Sequence, residues 1–120
     1  MYLIILFLHN PDLLEELMEA WDAEGVNGAT ITFSVGMGQF LEKLGMRDDI
    51  PLIPSLEDFF EAQEKLSRTI FAVIQDEAMI DGIVAATQRV MGDLDQPDTG
   101  MLLVLPVWKS YGLYKTGRSK

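Results

Sequence analysis

Four short apolar or β-branched runs and two amphipathic stretches follow one another in this chain in the order β-α-β-loop-β-α-β. That order predicts an α+β fold, a ferredoxin-like βαββαβ sandwich with a long insertion between its second and third strands. Two βαβ-like halves share one antiparallel sheet, with both helices on the same face. The chain has 120 residues, 48% of them hydrophobic and 23% charged, which suits a single domain with one core. We assign that domain to residues 1–107, with 36–66 as the insertion and 108–120 as a tail that is first aromatic and then basic.

The first strand is Tyr2–Leu8, a continuous apolar run expected to be buried on both faces. It is too short to cross a bilayer, which takes ~20 residues, and no basic segment precedes it as in a signal peptide. Asn10 caps the first helix, Pro11 suits its first turn and Asp12 complements its dipole. Leu13, Leu14, Leu17, Met18 and Trp21 fall on its inner face, while Glu15, Glu16, Glu19 and Asp22 fall on its outer face. Gly25 ends the helix. The second strand covers roughly 29–35, where Thr30, Thr32 and Ser34 alternate with Ile31, Phe33 and Val35.

Residues 36–54 form a loop punctuated by glycine and proline, with a helical turn at 40–44. Ser55-Leu56-Glu57-Asp58 is a capping box and predicts a short helix over 56–66. An insertion of this length far exceeds the ~2–5 residues of an ordinary hairpin connection and points to function or partner binding. The third strand is 68–75. Asp76 caps the second helix, whose inner face carries Met79, Ile80, Ile83, Val84, Thr87, Val90 and Met91, and Gly92 closes it. A polar loop over 93–100 leads to the fourth strand, 101–107. The sheet face away from the helices is open, and apolar residues on it call for a partner.

The net charge of −10 is unevenly spread. All 19 acids precede Thr99, whereas Lys109, Lys115, Arg118 and Lys120 make the end of the chain basic. The acidic body argues against a nucleic-acid backbone as partner, since phosphates demand lysine and arginine. There are no cysteines, hence no disulfide framework and no thiolate metal site, as suits a cytoplasmic protein.

No catalytic constellation is visible. His9 is the one histidine and has no Ser–acid pattern around it. The pairs Glu15-Glu16, Asp48-Asp49 and Glu57-Asp58 are sequence neighbours, which point apart on a helix. Asp93, Asp95 and Asp98 alternate in a loop but lack the glycine and closing glutamate of an EF-hand. An acylphosphatase-type enzyme needs an arginine near the first strand, and none precedes Arg47. The expectation is a protein that is not an enzyme and has no resident cofactor or metal. Trp108, Tyr111 and Tyr114 lie beyond the last strand and suit interface packing or stacking on a base.

The segment from Gly25 to Gly38 carries the strongest motif. A glycine turn feeds the second strand, which ends in Gly36-Met37-Gly38, and such glycines let the backbone approach a ligand and offer it N–H groups. Gly25-Val26-Asn27-Gly28-Ala29-Thr30-Ile31-Thr32 resembles the Gly-Val-x-Gly-x-Thr-Val-Thr entry to strand two of the P-II signal-transduction (nitrogen regulatory) family. Gly36-Met37-Gly38-Gln39 resembles its Gly-Phe-Gly-Arg exit. Residues 100–107 resemble its last strand, and Lys115-Thr116-Gly117 its closing Arg-Thr-Gly with one residue inserted. The chain thus resembles a divergent P-II-like member, with 36–66 in the place of the T-loop.

The resemblance implies a homotrimer with effector clefts between subunits, built from the T-loop base and the loop before strand four. It implies ligand contacts from Thr30, Gly36, Met37, Gly38, Gln39, Thr99, Gly100, Met101 and Lys115, an adenine nucleotide as one candidate effector, and a target protein met through residues 40–66. Two positions depart from the pattern. Gln39 replaces the basic residue after Gly-x-Gly, and Met101 replaces a phosphate-binding lysine. Losing two charge-assisted hydrogen bonds removes about 3–6 kcal/mol, roughly two to four decades in affinity. A less charged nucleotide or a different small molecule therefore stands beside ATP as effector. The loop has no tyrosine, which leaves uridylylation without a target. The alternative resemblance is to the CutA divalent-cation tolerance proteins, which implies a trimer with a structural or ion-related role.

Overall fold

The structure is a computed structural model and describes residues 1–34, 36, 37, 67–97 and 99–113. The expected turn at 40–44, the helix at 56–66 and the chain beyond 113 lie outside the described residues. Strand β1 is Tyr2–Leu8, and a 3-10 turn over Pro11–Leu13 leads into helix α1, Leu14–Ala23. Strand β2 is Thr30–Phe33, β3 is Arg68–Ile74, helix α2 is Met79–Met91 and β4 is Gly100–Pro106. The strands form one sheet in the order β2-β3-β1-β4, and every neighbouring pair is antiparallel. The fold is α+β, with a four-stranded antiparallel sheet and two helices, and its element order is compatible with the ferredoxin-like expectation. No helix among the described residues is long and apolar enough to cross a membrane.

The sheet is built around β1. Its seven residues pair along their whole length with β3 on one side, from Tyr2↔Ile74 to Leu8↔Arg68, and with β4 on the other, from Tyr2↔Pro106 to Leu8↔Gly100. Because side chains alternate along a strand, partners across the ladder share a face. Ile4, Leu6 and Leu8 join Ile70, Ala72 and Ile74 on the helix side, where they form one core with Leu17, Trp21 and Ile83. The same register puts Leu3, Ile5 and Phe7 with Phe71, Val73, Met101, Leu103 and Leu105 on the opposite face. No described helix covers that face, so β1 is buried on one side and only half-buried on the other. This corrects the expectation of burial on both faces. Met101, Leu103 and Leu105 remain 51%, 40% and 41% exposed.

One hydrogen-bond chain locks the helical layer. The Trp21 indole Nε1–H donates to Thr87 Oγ1 at 2.9 Å, and that hydroxyl donates to the Ile83 carbonyl oxygen at 2.7 Å. Both side chains are buried. The hydroxyl thus satisfies the indole of the other helix and, one turn back, the backbone of its own. Ala86, fully buried beside Thr87, adds a small side chain to the packed face of α2. The sequence pattern did not select it, because alanine carries little hydrophobic weight.

The element ends follow the expected chemistry with small shifts. Asn10 Oδ1 accepts the Asp12 N–H at 3.0 Å and opens the first helical segment as a 3-10 turn. Asp76 Oδ1 accepts the Ala78 N–H at 2.9 Å, which makes a turn before α2 rather than capping the helix itself. Strand β2 is shorter than the predicted 29–35 and exposed at all four residues, as befits an edge strand. Val35 lies outside the described residues.

Thr87→Val is expected to destabilise the protein by about 1–3 kcal/mol, because the buried Trp21 N–H loses its acceptor while the volume stays the same. Thr87→Ser keeps the hydroxyl and is expected to cost less. Urea denaturation of the three proteins reads the difference.

Candidate functional site

The two glycine motifs lie at one end of the sheet. The last register row there runs Phe33, Arg68, Leu8, Gly100 across the four strands. Gly36 and Met37 follow β2 beyond that row, and Thr99 precedes β4 beyond it. The motifs therefore share an end but occupy opposite edges, three strand spacings or about 14 Å apart. Met101 points onto the open face, one row inside. Thr30 stands at the far end of β2 and lines a separate cleft. Gly38, Gln39 and Lys115 lie outside the described residues. Within one chain the structure thus brings no two of the β2-side and β4-side positions into a common pocket among the described residues.

The glycines at the two edges are there for different reasons. Gly100 has φ +136°, and a Cβ there would lie 2.5 Å from the Phe7 carbonyl oxygen and 2.7 Å from Met91 Cε. Backbone conformation and packing both exclude a side chain at that position. At Gly36 a Cβ would meet nothing within 4 Å, and the backbone has no left-handed φ. Nothing among the described residues requires glycine at 36. Thr99 turns its hydroxyl inward, donating to the Gln96 carbonyl at 2.7 Å.

The mouth of the insertion is a tight neck. Ser34, just after β2, and Ser67, just before β3, face each other, with the Ser34 N–H donating to the Ser67 carbonyl at 3.3 Å. Their hydroxyls are 3.2 Å apart, and the Ser67 hydroxyl donates to the Ser34 carbonyl. Beside this neck stands Arg68. Its guanidinium lies 4.5 Å from the centroid of the Phe33 ring, and Nη1 donates to the Ser67 carbonyl at 3.1 Å. Among the described residues, this end of the sheet therefore carries the Arg68 guanidinium. Its position follows only from the β2–β3 register, which pairs Phe33 with Arg68.

Other candidate chemistry resolves into local structure. His9 is exposed at the end of β1. Asp93 Oδ1 accepts the Asp95 N–H at 2.9 Å, which shapes the loop before β4, and Asp98 lies outside the described residues. No group of three metal-ligating side chains occurs among the described residues. The Tyr2 hydroxyl donates to Glu77 Oε1 at 3.1 Å, and this bond and the carboxylate's charge hold the phenol above its usual pKa. The phenol therefore keeps the donated proton through neutral pH and gives it up only in alkali.

Gly100→Ala is expected to lower stability by about 2–4 kcal/mol through backbone strain and overlap. Gly36→Ala is expected to leave it within about 1 kcal/mol. Thermal melts of the two variants check the contrast. No protein-family model matches the chain, and no curated protein matches it in sequence.

Proposed function

We propose that the chain is a P-II-like regulatory protein of ferredoxin-like fold, a homotrimer without catalytic activity. It binds a small effector between subunits and signals through its long insertion to a protein partner. The observation that carries this reading is the separation of the two glycine motifs. They share one end of the sheet but sit about 14 Å apart at opposite edges, so a site using both is completed by the edge of a second copy. The open apolar face gives the copies a reason to assemble, since Leu3, Ile5, Leu103 and Leu105 gain burial when sheets pack together.

Arg68 supports an anionic effector. It stands at the neck of the insertion and supplies a positive charge at that end of the sheet. An adenine nucleotide is the candidate effector, with Arg68 a cation at this end of the sheet among the described residues. The Ser34–Ser67 neck holds both ends of the insertion together, so an effector seated beside it acts on both ends at once.

Light scattering of the purified protein is expected to give three copies per particle, and Leu103→Lys, which buries a charge in the packed sheet face, is expected to give monomers. A monomeric parent protein overturns the proposal. In a thermal-shift series, an adenine mono-, cyclic or diphosphate nucleotide is expected to raise the melting temperature. Arg68→Met is expected to weaken that ligand by at least about tenfold. Stabilisation by divalent cations with no response to any nucleotide transfers the protein to the CutA-like reading.

A further inference from the structure

β1 ends at Leu8, and in that last row Leu8 pairs with Arg68 on β3 and with Gly100 on β4. His9 follows directly, so it leaves the sheet between those two strands, about 5 Å from the line of each. It is the one histidine of the chain, and it is exposed. The two glycine motifs stand at the same end of the sheet, on either side of it.

His9 and Arg68 share a second property in a chain with 19 acids. Among the described residues neither forms an ion pair, and the pair that does form joins Arg89 to Glu24. The other charged groups on the elements at this end are Asp12 in the turn after β1, Glu15 and Glu16 in the first turn of α1, Arg89 in the last turn of α2, and Asp93 and Asp95 in the loop before β4. The Asp93 carboxylate is engaged by the Asp95 N–H. β2 and β3 carry no carboxylate. The imidazole and the guanidinium thus stand at the sheet end with no carboxylate partner among the described residues.

The sheet order decides how the two are used. Arg68 lies one strand in from the β2 edge, and His9 lies one strand in from the β4 edge. On the reading that the effector site is completed by a second copy, the β2 edge of one chain meets the β4 edge of another. We propose that such a site takes Arg68 from the first chain and His9 from the second, and that protonation of His9 tightens its hold on a phosphate-bearing ligand. The sign follows from the two side chains. A guanidinium keeps its charge throughout, whereas a histidine gains its charge as the pH falls from about 8 to 5. Affinity is therefore highest in mild acid and falls toward alkali. Salt screens exposed charges, so the effect is largest at low ionic strength.

The test measures binding of adenosine monophosphate by the full chain in low salt at about pH 5.5 and about pH 8.5. In acid the parent is expected to bind at least about threefold more tightly than His9→Gln, and in alkali the two are expected to match. Comparing the two proteins at each pH removes the titration of the ligand's own phosphate. His9→Lys, charged at both, is expected to bind in alkali at least about threefold more tightly than the parent. Both variants change an exposed side chain and are expected to melt within about 3 °C of the parent. Chains carrying His9→Gln and chains carrying Arg68→Met, co-expressed and assembled together, are expected to regain in part of their sites the parent affinity that neither variant shows alone. Equal binding by the parent and His9→Gln in acid, a His9→Lys that gains nothing, or mixed assemblies without recovered sites overturns the proposal. Trimers that bind adenosine monophosphate without regard to His9 overturn this inference and leave the regulatory reading standing. A monomeric parent, or one that binds no adenosine monophosphate at either pH, overturns it as well.

Discussion

Two helices can cover only one face of a four-stranded sheet, and the central strands of this sheet are apolar on both. β1 carries Ile4, Leu6 and Leu8 toward the helices and Leu3, Ile5 and Phe7 away from them. The first set forms the core with Leu17, Trp21 and Ile83. The second set meets Phe71, Val73, Leu103 and Leu105 across the ladder and stays only partly covered. Most of the remaining architecture follows from this imbalance. The helices are fixed to each other through the Trp21–Thr87–Ile83 hydrogen bonds, which lie buried on the covered side. The uncovered side keeps the apolar surface that drives association.

The two edges of the sheet answer different demands. At the β4 edge, Gly100 lies so close to the Phe7 carbonyl and to Met91 that the fold itself excludes a side chain. At the β2 edge, a Cβ at Gly36 would meet nothing within 4 Å among the described residues. Two glycines that look alike in a motif thus differ: packing among the described residues explains Gly100 but not Gly36. Arg68 sits between these edges with its guanidinium over Phe33, its charge held at the sheet end by the ring and by the Ser67 carbonyl.

Much of the fold was legible in the sequence because its signals were local. The run Tyr2–Leu8 is bounded by Asn10 and Pro11, and the strand matches it residue for residue. Leu17, Trp21, Ile83 and Thr87 fall at helical spacing and are buried. Features that depend on strand pairing were not legible. Period-two alternation extends the second strand to both sides of Thr30–Phe33, but its pairing with β3 covers those four residues alone, although β3 itself runs on to Ile74. The covering of only one face of β1 depends on where the helices lie, which its own seven residues do not encode. The site divides in the same way. Its glycines were visible as a motif, whereas the place of Arg68, the Ser34–Ser67 neck and the distance of Thr30 from Gly36 all come from register. Gly38, Gln39 and Lys115 belong to the expected site but not to the described residues.

The pairing of β1 with β3 also bears on how the protein is made. Tyr2 meets Ile74 and Leu8 meets Arg68, so the centre of the sheet joins residues separated by most of the domain. On a ribosome, which adds about 5–20 residues per second, β1 emerges several seconds before either strand that flanks it. During that interval its seven apolar residues have α1 alone to shelter against, and both of its edges are open. The outer face of α1 that emerges with β1 carries Glu15, Glu16, Glu19 and Asp22, and charge of one sign opposes association between like chains.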